Sequence, residues 1–130
     1  TADNKLLVNE IAPRTHNSGH FTIDACKTSQ FEQHLRAVCQ LPLGNCDLNC
    51  NGAVMVNLLG YESAESDYLE QRKKLAQISG SFVHWYGKKE SRPGRKLGHV
   101  TVLLDGESIE NRRSQAESIA QTIESIWRAS

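Results

Sequence analysis

The stretch Asn9-Glu10-Ile11-Ala12-Pro13-Arg14-Thr15-His16-Asn17-Ser18-Gly19-His20 decides how the rest of the chain is read. Leu6, Leu7 and Val8 just before it make a short apolar run, which predicts a strand ending at Asn9 and Glu10. Alternation puts Leu6, Val8 and Glu10 on one face, and Leu7 and Asn9 on the other. Pro13 ends regular pairing. Beyond that strand end the chain crowds Arg14, His16, Asn17, Ser18 and His20 into one loop. A loop that only packs has no use for so many anion- and hydrogen-bonding side chains. A site that holds a phosphorylated or carboxylated ligand beside a metal ion does. Glu10 offers a hard oxygen suited to Mg²⁺, an ion that keeps waters and bridges to substrate phosphates. Arg14 presents a planar fork to phosphate or carboxylate. His16 and His20 can donate to oxyanions, Asn17 and Ser18 can orient a substrate, and Gly19 lets backbone come close. Any one of these residues alone fits an ordinary surface loop.

The composition narrows the partners. The 130 residues suffice for one domain with a core, and 15 basic against 15 acidic side chains give a formal charge of +0. That balance provides no general attraction to nucleic acid or anionic membranes. No apolar run is long enough to span a bilayer, and no leader pattern is visible, so a cytoplasmic protein is expected. Thr1 in place of a methionine, with a strand pattern so soon after it, predicts a piece of a longer chain whose partner strands lie upstream. The four cysteines are Cys26, Cys39, Cys46 and Cys50. Cys46-Asp-Leu-Asn-Cys50 has half the spacing of a zinc knuckle but no second pair nearby, so reduced thiols without a chemical role are expected.

The periodicity predicts an α+β fold. Ser29-Gln30-Phe31-Glu32 has capping-box spacing, and Phe31, Leu35, Val38 and Cys39 fall on one face of the helix that follows. Pro42 and Gly44 end it. Residues 53–59 read as a buried strand and residues 67–78 as a helix, with Asp67 and Glu70 in capping-box spacing. Residues 81–86 and 99–104 read as strands, the latter closed by the turn signal Asp105-Gly106. Ile109, Ala116, Ile119, Ala120, Ile123, Ile126 and Trp127 form the stripe of a final helix.

A second cluster is His84-Trp85-Tyr86-Gly87-Lys88-Lys89-Glu90-Ser91-Arg92-Pro93-Gly94-Arg95-Lys96, two large aromatics followed by five cations around a Pro-Gly turn. It reads as a phosphate pocket, with Lys as a point charge and Arg as a fork. It also reads as a nucleic-acid surface with Trp85 and Tyr86 as stacking platforms, or as a solvated basic turn. The zero net charge argues against nucleic acid.

Taken in order, NEIAPRTHNSGHFTIDACKTSQFEQHLRAVCQLPLG, AVMVNLLG and HWYGKKESRPGRKLGHVTVL resemble the C-terminal part of the N5-carboxyaminoimidazole ribonucleotide synthase family, also called the ATPase subunit of phosphoribosylaminoimidazole carboxylase. The resemblance covers residues 6–104. It implies the C-terminal portion of an ATP-grasp fold, a mostly antiparallel sheet with packed helices. Residues 1–60 would carry the metal and substrate loop, and residues 61–130 a small subdomain with the phosphate-binding turn and the final helix. The implied activity is that of an ATP-dependent carboxylating ligase of purine biosynthesis. Its substrates are ATP, bicarbonate and 5-aminoimidazole ribonucleotide, its cofactor is Mg²⁺ with ATP, and carboxyphosphate is the intermediate. Carried onto this chain, Glu10 is a Mg²⁺ ligand, and Asn9 with Glu10 lines the ATP phosphates. Arg14 holds bicarbonate or carboxyphosphate. His16, Asn17, Ser18 and His20 shape the substrate side, and Lys88 and Arg95 hold the ribonucleotide 5′-phosphate. Trp85 and Tyr86 read as packing residues, because alternation sends at least one inward. The family usually has Pro where this chain has Thr15, which loosens the loop slightly. Ala12 stands where many other ATP-grasp enzymes carry a metal-binding Asn, which favours this subfamily.

The family's N-terminal domain, lid, adenine-contacting segment and second metal carboxylate have no counterpart in this sequence, so the isolated chain is expected to be catalytically silent. A homodimer is implied for the full-length form. The alternative is a stand-alone phosphometabolite-binding module using Arg14, Lys88 and Arg95. Binding independent of Mg²⁺ and ATP is its signature. A nucleic-acid binder would instead show steep salt dependence. A structural subunit docking through its last helix is the remaining reading, although that stripe is more simply a core face.

Overall fold

The structure is a computed structural model describing residues 5–129. Its centre is β5 (Lys96–Leu104), flanked by β1 (Gly52–Leu59) and β3 (Ser81–Trp85) in an antiparallel sheet of order β1-β5-β3. This strand lies between two partners and is covered on both faces, and Leu97 to Val102 are all buried, the polar His99 and Thr101 among them. Two short strands, β2 (Ala64–Glu65) and β4 (Glu90–Ser91), pair separately.

The sheet has two unlike faces. Register sets Val54 opposite Val102, Val56 opposite Val100, and Val83 opposite Val100. This apolar face packs against α4 (Ile109–Arg128), whose Ile123 and Trp127 are buried, and against α3 (Leu69–Leu75). Trp127 also donates its indole N–H to the Leu59 carbonyl at 2.7 Å, so the ring's one polar group is satisfied inside the core. On the other face, Asn57, His99 and His84 form a row across β1, β5 and β3. That row is the floor of the candidate site.

The helices follow the sequence with two differences. Over α2 (Gln30–Val38) the Ser29 hydroxyl accepts the Glu32 N–H at 3.2 Å, while the Glu32 carboxylate turns to Arg36 at 2.7 Å instead of reaching back. The helix predicted over residues 67–78 is shorter: Tyr68 takes a left-handed φ of 50° and buries its ring beside Trp127, 5.0 Å between centroids, which delays the start, and past Leu75 the Gln77 and Ile78 N–H groups turn to the carbonyls three residues back. Asp67 then accepts the Leu69 N–H at 3.1 Å as a local turn cap, not as a capping box.

The strand predicted at residues 6–8 does not form. Leu6, Leu7 and Val8 lie in irregular backbone, 99%, 75% and 87% exposed. Among the described residues no strand pairs with this segment, and strand composition alone does not make a strand without a neighbour to complete the ladder. The division expected after residue 60 runs through the three-stranded sheet, since β1 lies before it and β5 after it.

Candidate active site

A short first helix, α1 (Thr22–Ala25), and a 3₁₀ turn at Asn17–Gly19 lay the Arg14–His20 loop over the polar row. Gln30, the first residue of α2, pins that loop. Its amide oxygen accepts the His16 N–H at 2.9 Å, and its amide nitrogen donates to the His16 carbonyl and to His20 Nδ1, both at 2.7 Å. An amide nitrogen is only a donor, so His20 Nδ1 is the accepting, unprotonated nitrogen. Burial holds the His20 pKa below its ordinary value, helped by the charges of Lys96, His16 and His84, so the ring is neutral at pH 7. Gly19 gives Gln30 its room: a Cβ there would sit 2.6 Å from the Gln30 amide oxygen.

The rest of the loop is tied to the sheet. Asn17 Nδ2 donates to Asn57 Oδ1 at 2.7 Å. Lys96 Nζ, from the start of β5, donates to Asn17 Oδ1 at 3.1 Å. His16 shares hydrogen bonds with Ser18 Oγ at 2.8 Å, and its Nε2 lies 3.2 Å from Glu10 Oε1. Glu10, His16, Asn17, Ser18 and His20 are thus brought together, with Gln30, Asn57 and Lys96 as supports. Asn9 precedes Glu10 in exposed irregular chain. Arg14 is exposed and, among the described residues, donates only locally, to the Thr15 carbonyl at 2.9 Å.

The basic cluster is a real turn. Pro93-Gly94 is closed by the Arg95 N–H donating to the Arg92 carbonyl at 3.0 Å, and Gly94 has a φ of 79°. Lys88 Nζ donates to the Lys96 carbonyl at 2.6 Å and lies 5.7 Å from the Tyr86 ring centroid. Arg95 is held by Glu90, through its carbonyl at 3.1 Å and its carboxylate at 3.6 Å. The link from the turn to the loop therefore runs through Lys96. Trp85 faces the core, with the Arg72 guanidinium 5.0 Å from its ring centroid, and Tyr86 faces the polar row, as alternation requires. One cleft of about 500 Å³ lies beside Lys88, Arg72 and Trp85. Another of about 280 Å³ lies between Asn57, Gly94 and Trp127. The His16–His20 loop lines neither of these two clefts.

Gln30, Asn57 and Lys96 were not singled out from the sequence. Gln30 reads as an ordinary first helical residue and Asn57 as a lone polar residue in an apolar strand. That break in the alternation of β1 was the available signal for Asn57.

The family model for the ATP-grasp domain matches residues 1–31, and the model for the phosphoribosylaminoimidazole carboxylase C-terminal domain matches residues 53–113. An antiparallel sheet backed by helices, with this loop over its polar face, is thereby the C-terminal portion of an ATP-grasp protein. The N5-carboxyaminoimidazole ribonucleotide synthase of Synechococcus elongatus is 57% identical over 123 residues, covering 95% of this chain and 31% of its own length. That of Bacillus subtilis is 52% identical, covering 82% of this chain and 27% of its own. The structure of the Thermotoga maritima synthetase superposes with a TM-score of 0.76 at 46% identity, over 97% of this chain and 33% of that one. The Aspergillus clavatus synthase in complex with ADP and 5-aminoimidazole ribonucleotide gives 0.79 at 32% identity, over 96% of this chain and 32% of that one. The chain belongs to the N5-carboxyaminoimidazole ribonucleotide synthase family, and it spans about a third of the length of these relatives.

Proposed function

We infer that this chain is the C-terminal part of an ATP-dependent ligase that carboxylates 5-aminoimidazole ribonucleotide to its N5-carboxy form. The observation that carries this reading is the join between the two clusters, Lys96 Nζ to Asn17 Oδ1 at 3.1 Å, which makes one surface of the loop and the basic turn. A ligand with a phosphate at one end and a reacting amine at the other suits such a surface. The relative from Aspergillus clavatus, in complex with ADP and 5-aminoimidazole ribonucleotide, supports the same substrates here.

In the proposed reaction a bicarbonate oxygen attacks the γ-phosphorus of ATP, giving carboxyphosphate and ADP. The exocyclic amine of the ribonucleotide then attacks the carboxyl carbon, and phosphate leaves. Arg14, exposed and, among the described residues, bonded only to its neighbour's carbonyl, can swing its fork onto the bicarbonate or carboxyphosphate. Neutral His20 and the His16–Ser18 turn would shape the amine side, and Lys88 and Arg95 would take the 5′-phosphate. Asn9 and Glu10 would face the ATP phosphates. Glu10 fits a Mg²⁺ ion as one carboxylate ligand with a 60% exposed side chain, because such an ion draws its remaining ligands from phosphates and water. When bound, the ion neutralises charge on the phosphates. Residues 1–60 would supply this metal and substrate loop, and residues 61–130 the phosphate-binding turn. A cytoplasmic homodimer is the proposed setting for the whole enzyme.

The test is an amide-shift titration of the chain with 5-aminoimidazole ribonucleotide, using ribose 5-phosphate as the reference. Shifts at Thr15–His20 and Lys88–Lys96 that exceed those with ribose 5-phosphate are expected. Equal shifts with both ligands would favour the stand-alone phosphometabolite-binding module, and a well-dispersed spectrum with no shifts would remove the preformed substrate surface. The isolated chain should hydrolyse no ATP in the presence of ribonucleotide and bicarbonate.

A further inference from the structure

Behind the substrate loop lies a second cluster that the proposed reaction does not use. His84 on β3 and His99 on β5 are direct cross-strand partners, and their rings stack 4.5 Å apart at 14°. Asp24 on α1 reaches over them, with Oδ2 at 2.9 Å from His84 Nε2. One ligand atom from each of Asp24, His84 and His99 lies within 4.8 Å of the other two. We propose that Asp24, His84 and His99 form a binding site for a transition-metal dication of the Zn²⁺ class.

The strongest support is His99. The residue is 1% exposed, and its Nε2 is buried with no hydrogen-bond partner. An orphaned buried polar atom is costly and calls for an explanation. Tyr86 Oη, 2.8 Å from Nδ1, occupies the other ring nitrogen and leaves Nε2 as the free one. Metal-bound histidines have this arrangement, one nitrogen on the ion and the other on an outer partner that fixes the ring.

The donor set selects the ion. Two imidazoles and one carboxylate suit Zn²⁺ or Co²⁺, whereas Mg²⁺ prefers oxygen. Bonds of about 2.0–2.1 Å at the tetrahedral angle place ligand atoms roughly 3.4 Å apart. The separations here, from 2.9 Å to at most 4.8 Å, bracket that value, and the two stacked rings turn out of parallel to aim one nitrogen each at the ion. Asp24 is 7% exposed at its side chain and His84 is 30% exposed, which leaves His84 as the entry side. Three protein donors leave a fourth position for water. On binding, the ion replaces the hydrogen bond between Asp24 and His84, and the His84 ring keeps its one N–H, now at Nδ1.

The test is calorimetric titration of the reduced, chelator-treated chain with Zn²⁺, with the Co²⁺ complex followed by absorption. One equivalent should bind, and the Co²⁺ complex should show visible d–d bands without thiolate charge transfer. Asp24→Asn and His84→Gln should each weaken binding roughly tenfold or more. Both variants avoid deleting the buried His99, and circular dichroism would confirm that they fold. His34→Gln, on the exposed surface of α2, should bind like the parent. Absence of saturable binding, equal affinity in the Asp24→Asn/His84→Gln double variant, or a thiolate charge-transfer band placing the ion on the cysteines would each overturn the proposal.

Discussion

Gly98 shows how a single residue holds the site together. A Cβ there would meet the His84 carbonyl oxygen at 2.4 Å, and the Trp85 ring at 3.3 Å. The obstacle is backbone of the neighbouring strand, which cannot step aside as a flexible side chain could. Gly98→Ala should therefore destabilise the chain by about 3 kcal/mol, read from the midpoint of a urea transition. Cysteine reactivity belongs to the same scale. Burial raises the Cys26 thiol pKa, with the nearby Cys50 and Cys46 adding to the rise. A raised pKa means less thiolate at any pH below it, and the thiolate is the nucleophile. At pH 7.5, iodoacetamide should label exposed Cys39 before Cys26, and the gap should narrow as the pH rises. Mass spectrometry of the labelled peptides would show the order; Cys26 reacting first would contradict the assignment.

Among the elements, α4 depends on its first turn. Ser108 accepts the Asn111 N–H at 3.0 Å, satisfying a backbone donor that the helix itself cannot. Ser108→Ala should cost about 1 kcal/mol, and Ser108→Asp should retain most of the stability, as measured by thermal melts. Long elements with a clear apolar period were legible in the sequence. The final-helix stripe from Ala116 to Trp127, the strand Ala53–Leu59 and the strand His99–Leu104 all stand where periodicity put them, whereas Ile109 at the head of the stripe is 72% exposed. What was not legible depended on a neighbour. Leu6–Val8 has strand composition but no partner strand among the described residues, and Tyr68 gives up helical dihedrals to bury its ring. In the candidate site, the cluster Glu10 to His20 stood out because its polar residues are adjacent in sequence. Gln30, Asn57 and the Asp24–His84–His99 group did not, because their members meet only when α1, α2 and the sheet pack.

At the scale of the whole molecule, one side is well packed and the other is open. The apolar sheet face is sealed by α3 and α4, whereas α2 presents Phe31, Leu35 and Val38 at 37%, 61% and 62% exposure. The chain spans about a third of its relatives' length, and a bare apolar helix face is a poor surface for an isolated domain. The chain should bind 8-anilinonaphthalene-1-sulfonate, and replacing Phe31, Leu35 and Val38 with Gln should remove most of that fluorescence. The melting transition should hardly move, since exposed positions usually contribute within about 0.5 kcal/mol each. Unchanged fluorescence in the triple variant would show that the dye binds elsewhere.

The strand order has a consequence for how the chain is made. The central strand, β5, is the last of the strands in sequence, and both outer strands of its sheet hydrogen-bond to it and not to each other. During synthesis β1 and β3 must wait, unpaired, until residue 104 has left the ribosome. The Asn57–His99–His84 row is then drawn together in one late step, so a nascent chain halted before Leu104 carries most of the site's side chains without the platform that aligns them.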